Sequence, residues 1–269
     1  MSYRLGVDVG GTFTDFLLIN EKDGSTFTAK VPSTPEDSSI GVLNGVSKIC
    51  EQNKIDPADI TLVMHGTTVA TNAVLTGNGA TVGLLTTKGY ESVLQVARSF
   101  CPGGLGGWVS FVKKPLLAPL ELTHGIEERI DANGEISLAL NEDQLKQELN
   151  ALKAKGRVEA LTISFVNSYV NNVHELKAAE IAKQIFTDIP ISISSEVIPE
   201  MQEYERAETT VLNSYVRPQV SKYVDNLQSS LEKNLNKDVQ LFILRSDGGL
   251  ASSRSTGDSP VNHLMSGPA

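Results

Sequence analysis

The chain has 269 residues, enough for one large domain or two ordinary ones with a substantial core. Hydrophobic residues make up 40% and charged residues 20%, ordinary globular usage that excludes disordered and fibrous classes. With 23 Lys+Arg against 32 Asp+Glu, the formal charge of −9 excludes a protein that coats nucleic acid, but not a nucleotide held by backbone N–H groups and a metal.

Hydrophobic periodicity predicts strands over residues 4–9, 12–19 and 25–31, joined by Gly10-Gly11 and by Glu21-Lys22-Asp23-Gly24. They form an antiparallel meander. Ser33-Thr34-Pro35-Glu36-Asp37 carries the proline and acids of a helix start, and Ile40, Val42, Leu43, Val46, Ile49 and Cys50 follow at helical spacing. A strand over 60–64 ends at His65-Gly66. A helix from about 67 to 75 and a strand over 80–86 complete a β–α–β unit.

Residues 100–108 are glycine-dense and aperiodic and read as a long loop. Alternation returns over 121–131 and closes at Asp131-Ala132-Asn133-Gly134. Helices are expected over 142–155 and 173–186, and strands over 160–166 and 189–194. From 199 to about 235 the signal is helical, with Pro218 marking a kink or a join. A last strand over 239–245 runs into Ser246-Asp247-Gly248-Gly249. The expected class is α/β, with a mixed sheet that opens on the meander.

The opening residues show no signal-peptide pattern, and no run approaches the ~20 apolar residues that span a bilayer. A cytoplasmic protein without a membrane partner is expected. Cys50 and Cys101 are too few for a disulfide scaffold and read as inert thiols.

Chemistry concentrates first in Asp8-Val9-Gly10-Gly11-Thr12-Phe13-Thr14-Asp15. Adjacent glycines permit positive φ and close approach of a ligand, their N–H groups form an anion nest, and Thr12 and Thr14 add hydroxyls. Asp8 is placed to hold Mg²⁺ through water, an ion that takes few carboxylates. An ordinary hairpin turn is the plainer alternative. There is no Walker A lysine, and a strand rather than a helix follows.

At the second cluster, His65 ends a strand. Gly66, Thr67, Thr68, Thr71 and Asn72 gather polar groups at a helix start, where an anion or a reacting carbonyl would be favoured. His65 could serve as acid or base; helix capping is the plain alternative. Asp247, Gly248 and Gly249 form a second glycine turn able to meet phosphate. Arg98, Glu203 and Arg206 are weaker substrate candidates, since Glu203 and Arg206 also read as a solvated pair on one helix face.

The opening segment resembles the first phosphate loop of the actin, sugar-kinase and Hsp70 superfamily. The wider chain is similar to the hydantoinase A/5-oxoprolinase family within it. The likeness rests on Gly6 to Asp15, Lys30-Val31-Pro32-Ser33-Thr34-Pro35-Glu36-Asp37, and His65-Gly66-Thr67-Thr68-Val69-Ala70-Thr71-Asn72-Ala73. It continues through Ser195-Glu196-Val197-Ile198-Pro199-Glu200, Glu203-Tyr204-Glu205-Arg206, Leu212-Asn213-Ser214-Tyr215-Val216 and Ser266-Gly267-Pro268-Ala269.

The resemblance implies a ribonuclease H-like, actin-like ATPase architecture. It implies an N-terminal family domain over 1–197 and the beginning of a second over 198–269, with a second phosphate loop lying outside this chain. It further implies an ATP- and Mg²⁺-dependent enzyme that phosphorylates the carbonyl of a hydantoin, lactam or 5-oxoproline-like ring before ring opening, with a hydantoinase B-type partner subunit. A homo-oligomer is compatible with an incomplete cleft. Two other functions fit the same likeness: a subunit of an ATP-dependent ketone carboxylase, and a non-catalytic nucleotide-binding sensor.

Overall fold

Alternating side chains make β1 (Tyr3–Val9) and β2 (Phe13–Asn20) two-faced strands. Leu5, Val7, Phe16 and Leu18 are buried on one face, while Arg4, Asp8, Asp15 and Leu17 are exposed on the other. The computed structural model describes residues 2–34, 38–99, 101 and 103–266. The expected helix start at Pro35, Glu36 and Asp37, and the closing Gly267-Pro268-Ala269, lie outside the described residues.

The meander is completed by β3 (Thr26–Pro32), and α1 (Ser38–Asn53) packs on β2 and β3. Its approach depends on Gly45, where a Cβ would lie 2.0 Å from Cζ of Phe16. Next come β4 (Ile60–Gly66) and α2 (Val69–Thr76), which ends at Gly77 in the left-handed conformation (φ 71°) that glycine adopts without strain.

The segment that follows holds β5 (Val82–Thr87), α3 (Val93–Val96), α4 (Gly104–Ser110), β6 (Thr123–Ile126), β7 (Arg129–Ile130) and β8 (Ile136–Leu138). Then come α5 (Glu142–Ala154), β9 (Ala160–Ser164), α6 (Val173–Ile185), β10 (Ile191–Ile193) and α7 (Ser194–Val197). The helix α8 (Glu203–Asn234) includes Pro218 in its interior, and β11 (Gln240–Leu244), β12 (Leu250–Ser252) and α9 (Ser253–Asp258) follow.

The chain divides into two compact units, Met1–Asn78 with Gln219–Ala269, and Gly79–Pro218. The first contains a mixed sheet in the order β12-β11-β4-β1-β2-β3. In it β4 and β11 run parallel to β1, and the meander and the β11–β12 hairpin are antiparallel. The second contains a parallel sheet, β10-β9-β5-β6, and the β7–β8 ribbon. Every residue of β5 and β9 is buried, as expected for parallel strands covered on both faces. The expected division at residue 197 follows sequence signatures, whereas these units are defined by packing.

Three expectations need correction. First, β4 and β5 do not form one β–α–β unit: they belong to different sheets, because the chain leaves the first unit just after Asn78. Second, the glycine-dense stretch contains a helix, α4; glycines at 103, 104, 106 and 107 lower helix propensity enough to hide it from pattern reading. Third, the 199–235 signal begins at Glu203 and is a single helix, with the boundary between units falling at Pro218.

Candidate functional site

The turn between β1 and β2 is closed by the Gly10 N–H, which donates to Phe13 O at 3.0 Å. A Cβ on Gly10 would sit 3.0 Å from that same carbonyl, so the close approach favours glycine here. Neither Gly10 nor Gly11 has the expected positive φ. Gly11 is free on its Cα side, with no atom within 4 Å of an added Cβ. Since the Gly10 N–H is consumed by the turn, the anion nest reduces to the N–H groups of Gly11 and Thr12, which have no protein partner among the described residues.

Thr12 is exposed beside these groups, whereas Thr14 is 1% exposed and points into the core. The Thr14 hydroxyl meets Ser33 Oγ at 3.0 Å, and Ser33 Oγ donates to Gly10 O at 2.7 Å. Thr14 is therefore a brace behind the turn rather than a wall of the site. Ser33, within the Lys30–Asp37 signature, supplies the other half of that brace.

Asp8 leaves β1 on the exposed face, and its carboxylate makes no hydrogen bond or ion pair among the described residues. It borders a cavity of about 390 Å³ with Gly6, Asp15, Met64, Gly66 and Ser266. An added Cβ on Gly66 would lie 3.5 Å from Asp8 Oδ1, so this glycine keeps open the space beside the carboxylate. The opposite residue on β2, Asp15, is paired with Lys30 at 3.0 Å. A solvent-facing, unpaired carboxylate with free space beside it fits a magnesium ion that retains most of its waters.

The neighbouring strand brings His65 to the wall of the same cavity but turns its ring to the buried face. His65 is 1% exposed, on the buried face with Val63, and its Nε2 lies 2.7 Å from the Tyr223 hydroxyl of α8. Nδ1 makes no well-formed hydrogen bond, with only the Val7 backbone beside it. Burial lowers the imidazole pKa to about 4, so the ring is neutral at pH 7 and faces away from the Asp8 carboxylate.

After Gly66, Thr67 Oγ1 accepts the Val69 N–H at 3.3 Å, and Ser266 Oγ donates to Thr67 O at 2.9 Å. Thr68 is the residue before α2, without a side-chain cap, and its hydroxyl accepts from Asn72 Nδ2 at 3.3 Å. The Thr71 hydroxyl donates to Leu264 O, away from the turn. Gly10, Gly11, Thr67, Thr68 and Asn72 share a second cavity, of about 430 Å³. The structure thus brings together both halves of the sequence-predicted phosphate site.

The remaining candidates line neither of these cavities, although Leu244 and Leu250 of the β11–β12 hairpin border the one beside Asp8. Asp247, Gly248 and Gly249 form the tip of the β11–β12 hairpin, where Asp247 Oδ1 accepts the Gly249 N–H at 2.9 Å. That bond, aided by Arg245, holds the Asp247 carboxyl below its usual range. In the second unit, Arg98 is paired with Glu205 at 2.6 Å. Arg206, 1% exposed, pairs with Glu203 and donates to Phe165 O (2.9 Å), Glu200 O (3.0 Å) and Ser194 Oγ (3.1 Å). It is a buried tie, not one of a solvated pair.

The family model for the hydantoinase/oxoprolinase N-terminal region matches residues 4–186, and the hydantoinase/oxoprolinase model matches 206–269. An uncharacterised protein of Methanocaldococcus jannaschii is 37% identical over the whole chain. The caprolactamase alpha subunit of Pseudomonas jessenii is 34% identical over 99% of it, and the acetophenone carboxylase gamma subunit of Aromatoleum aromaticum 30% over 97%. The chain spans 39%, 38% and 38% of these three curated relatives. The crystal structure of the ATP-dependent caprolactamase from P. jessenii superposes with a TM-score of 0.86 over 98% of this chain and 38% of that one, at 32% identity. The fold is a mixed α/β fold of the actin-like ATPase type.

Proposed function

The chain belongs to the hydantoinase/oxoprolinase family, and from that premise we propose that it supplies the phosphate-binding side of an ATP-dependent enzyme acting on small cyclic amides. The observation that carries this reading is that, on one β1–β2 hairpin, the Asp8 carboxylate and the N–H groups of Gly11 and Thr12 all have no partner among the described residues. Asp8 would hold Mg²⁺ through water, and the ion would neutralise charge on the transferring phosphate. The Gly11 and Thr12 N–H groups, with the start of α2, would receive phosphate oxygens. Transfer of the phosphoryl group to the carbonyl oxygen of a ring amide, with ADP leaving, would make the ring carbon electrophilic; water adds to that carbon, the C–N bond breaks with the protonated amine as leaving group, and the acyl phosphate so formed is hydrolysed to carboxylate and phosphate.

His65 fits a supporting role. A neutral, buried imidazole bonded to Tyr223 fixes the end of β4, from which Gly66 and Thr67 enter the site. Ring opening is assigned to a second subunit of hydantoinase B type, in keeping with relatives that are themselves named as subunits. The family segments 1–197 and 198–269 would each contribute part of the site, and an ATP-dependent role suits a cytoplasmic protein. Among the described residues no helix is long and apolar enough to cross a membrane.

The test is Asp8→Asn in the full-length protein with its partner subunit. Amide-stimulated ATP turnover should be lost while the melting temperature stays within about 2 °C of the parent. Ordinary turnover by that variant would remove Asp8 from the site. The carboxylase relative at 30% identity favours a second reading, in which the same phosphorylation activates a ketone enolate. Product analysis separates the two: dependence on bicarbonate with gain of a carboxylate marks the carboxylase, and ring opening without bicarbonate marks the hydrolase.

A further inference from the structure

The cavity between the Gly10–Gly11 turn and α2 has a lining that the phosphate site alone does not explain. Beyond Thr67 and Thr68 it extends along α2 past Asn72 and Thr76 to Asn78 and Gln219. Among the described residues, no Asp, Glu, Lys, Arg or His borders it; its walls are hydroxyls, side-chain amides and the small apolar groups of Val9, Val69 and Ala73. At about 430 Å³ it falls within the ordinary size of small-molecule sites, roughly 300–1,000 Å³.

The two ends of this cavity differ in polarity. The start of α2, at Val69, presents the positive end of the helix dipole beside the glycine turn. The other end lies at Thr76 and Asn78, where the last carbonyls of α2 present the negative end. Several hydroxyls are already committed: Thr76 Oγ1 donates to Asn72 O at 2.8 Å, and Ser33 and Thr67 are bonded as described. Gln219 donates to Asn78 O. The Asn72 and Gln219 side-chain oxygens and the Asn78 side-chain amide have no partner among the described residues and remain for a ligand. A ring amide offers one N–H donor and one carbonyl acceptor, which these groups can meet. Among the described residues a carboxylate there would find no cation, and it would face the negative helix end.

We infer that this cavity receives the cyclic amide itself and selects a neutral ring, such as a lactam or hydantoin, against a ring bearing a carboxylate, such as 5-oxoproline. The carbonyl to be phosphorylated lies toward the glycine turn and the rest of the ring toward Thr76. The inference rests on the proposed carbonyl phosphorylation and adds its substrate class.

The experiment compares 5-oxoproline with its carboxamide, which has the same ring and nearly the same size but no charge. Isothermal titration calorimetry at pH 7.5 on the full-length protein should show the carboxamide binding at least tenfold more tightly. Thr76→Arg, at an exposed position in the last turn of α2, should move the ratio toward 5-oxoproline by about tenfold. Equal or tighter binding of 5-oxoproline by the parent would overturn the inference. So would binding of neither ring, or an unchanged ratio in a folded Thr76→Arg protein. ATP turnover on the same compounds separates this from the function proposed above. Turnover stimulated best by 5-oxoproline would refute neutral selection but keep carbonyl phosphorylation. Selective binding of the carboxamide without any amide-stimulated turnover would do the reverse.

Discussion

Replacing Thr14 with Val removes one buried hydroxyl and leaves the side-chain shape nearly unchanged. The hydroxyl is one link in a series, Thr14 Oγ1 to Ser33 Oγ at 3.0 Å and Ser33 Oγ to Gly10 O at 2.7 Å. One buried hydrogen bond of this kind contributes about 1 kcal/mol net, so Thr14→Val should cost about that much. Ser33→Ala breaks both links and strands the Thr14 hydroxyl, for a cost of about 2 kcal/mol. The double variant should be no less stable than Ser33→Ala, because Val leaves no stranded group; the two costs are therefore coupled by about 1 kcal/mol. Urea melts give the stabilities, and a loss of 1 kcal/mol corresponds to roughly 2–4 °C in melting temperature for a domain of 150–250 residues. With its carbonyl untethered, the Gly10 turn loosens and ATP affinity should fall a few-fold without vanishing. Strictly additive costs would refute the series arrangement. Loss of ATP binding at unchanged stability would make Thr14 a direct ligand.

The buried His65 gives the fold a pH dependence of known sign. Its pKa is about 4 in the folded protein against 6.5 in a free side chain, so the unfolded chain binds more protons between those values. Its contribution is complete above pH 6.5 and is lost as pH falls toward 4, by up to about 3 kcal/mol; denaturant melts should show a shallower slope for His65→Gln, and an equal slope would count against the burial argument. Gly45→Ala should destabilise by roughly 1–3 kcal/mol despite its better helix propensity, because the new methyl would overlap the Phe16 ring; calorimetric melting checks this, and a stabilised variant would contradict the packing of α1. Arg206→Met should cost about 3–5 kcal/mol, since it leaves Glu203 without its cation, with only the Asn167 N–H on its carboxylate, and frees the Phe165 and Glu200 carbonyls. A loss below 1 kcal/mol in urea melts would show that this buried tie is idle.

Much of the phosphate site was legible in the order of residues. Period-2 alternation placed β1, β2 and β3, and an acid at a strand end before paired glycines marked the turn. The same alternation held more than was drawn from it. Thr14 shares its parity with Phe16 and Leu18, and His65 with Val63, so both belong on the buried face; their polarity drew attention instead to the site. Arg206 carried no such signal. A charge three residues from a carboxylate on a helix usually meets solvent, and only the packing of Phe165, Ser194 and Glu200 around it made the pair a buried one.

What local order could not contain was the choice of sheet and the covering of faces. The β4–α2–β5 succession reads as one crossover unit, yet β4 pairs with β1 and β11 while β5 pairs with β9 and β6, partners as far as 178 residues away. Alternation states which side chains share a face; it does not state what lies against that face. That is decided by long-range pairing and by side-chain volumes such as Phe16 against Gly45. For the same reason, the uncharged cavity beside the glycine turn appeared only when Gln219 was brought back to Asn78 and Thr76.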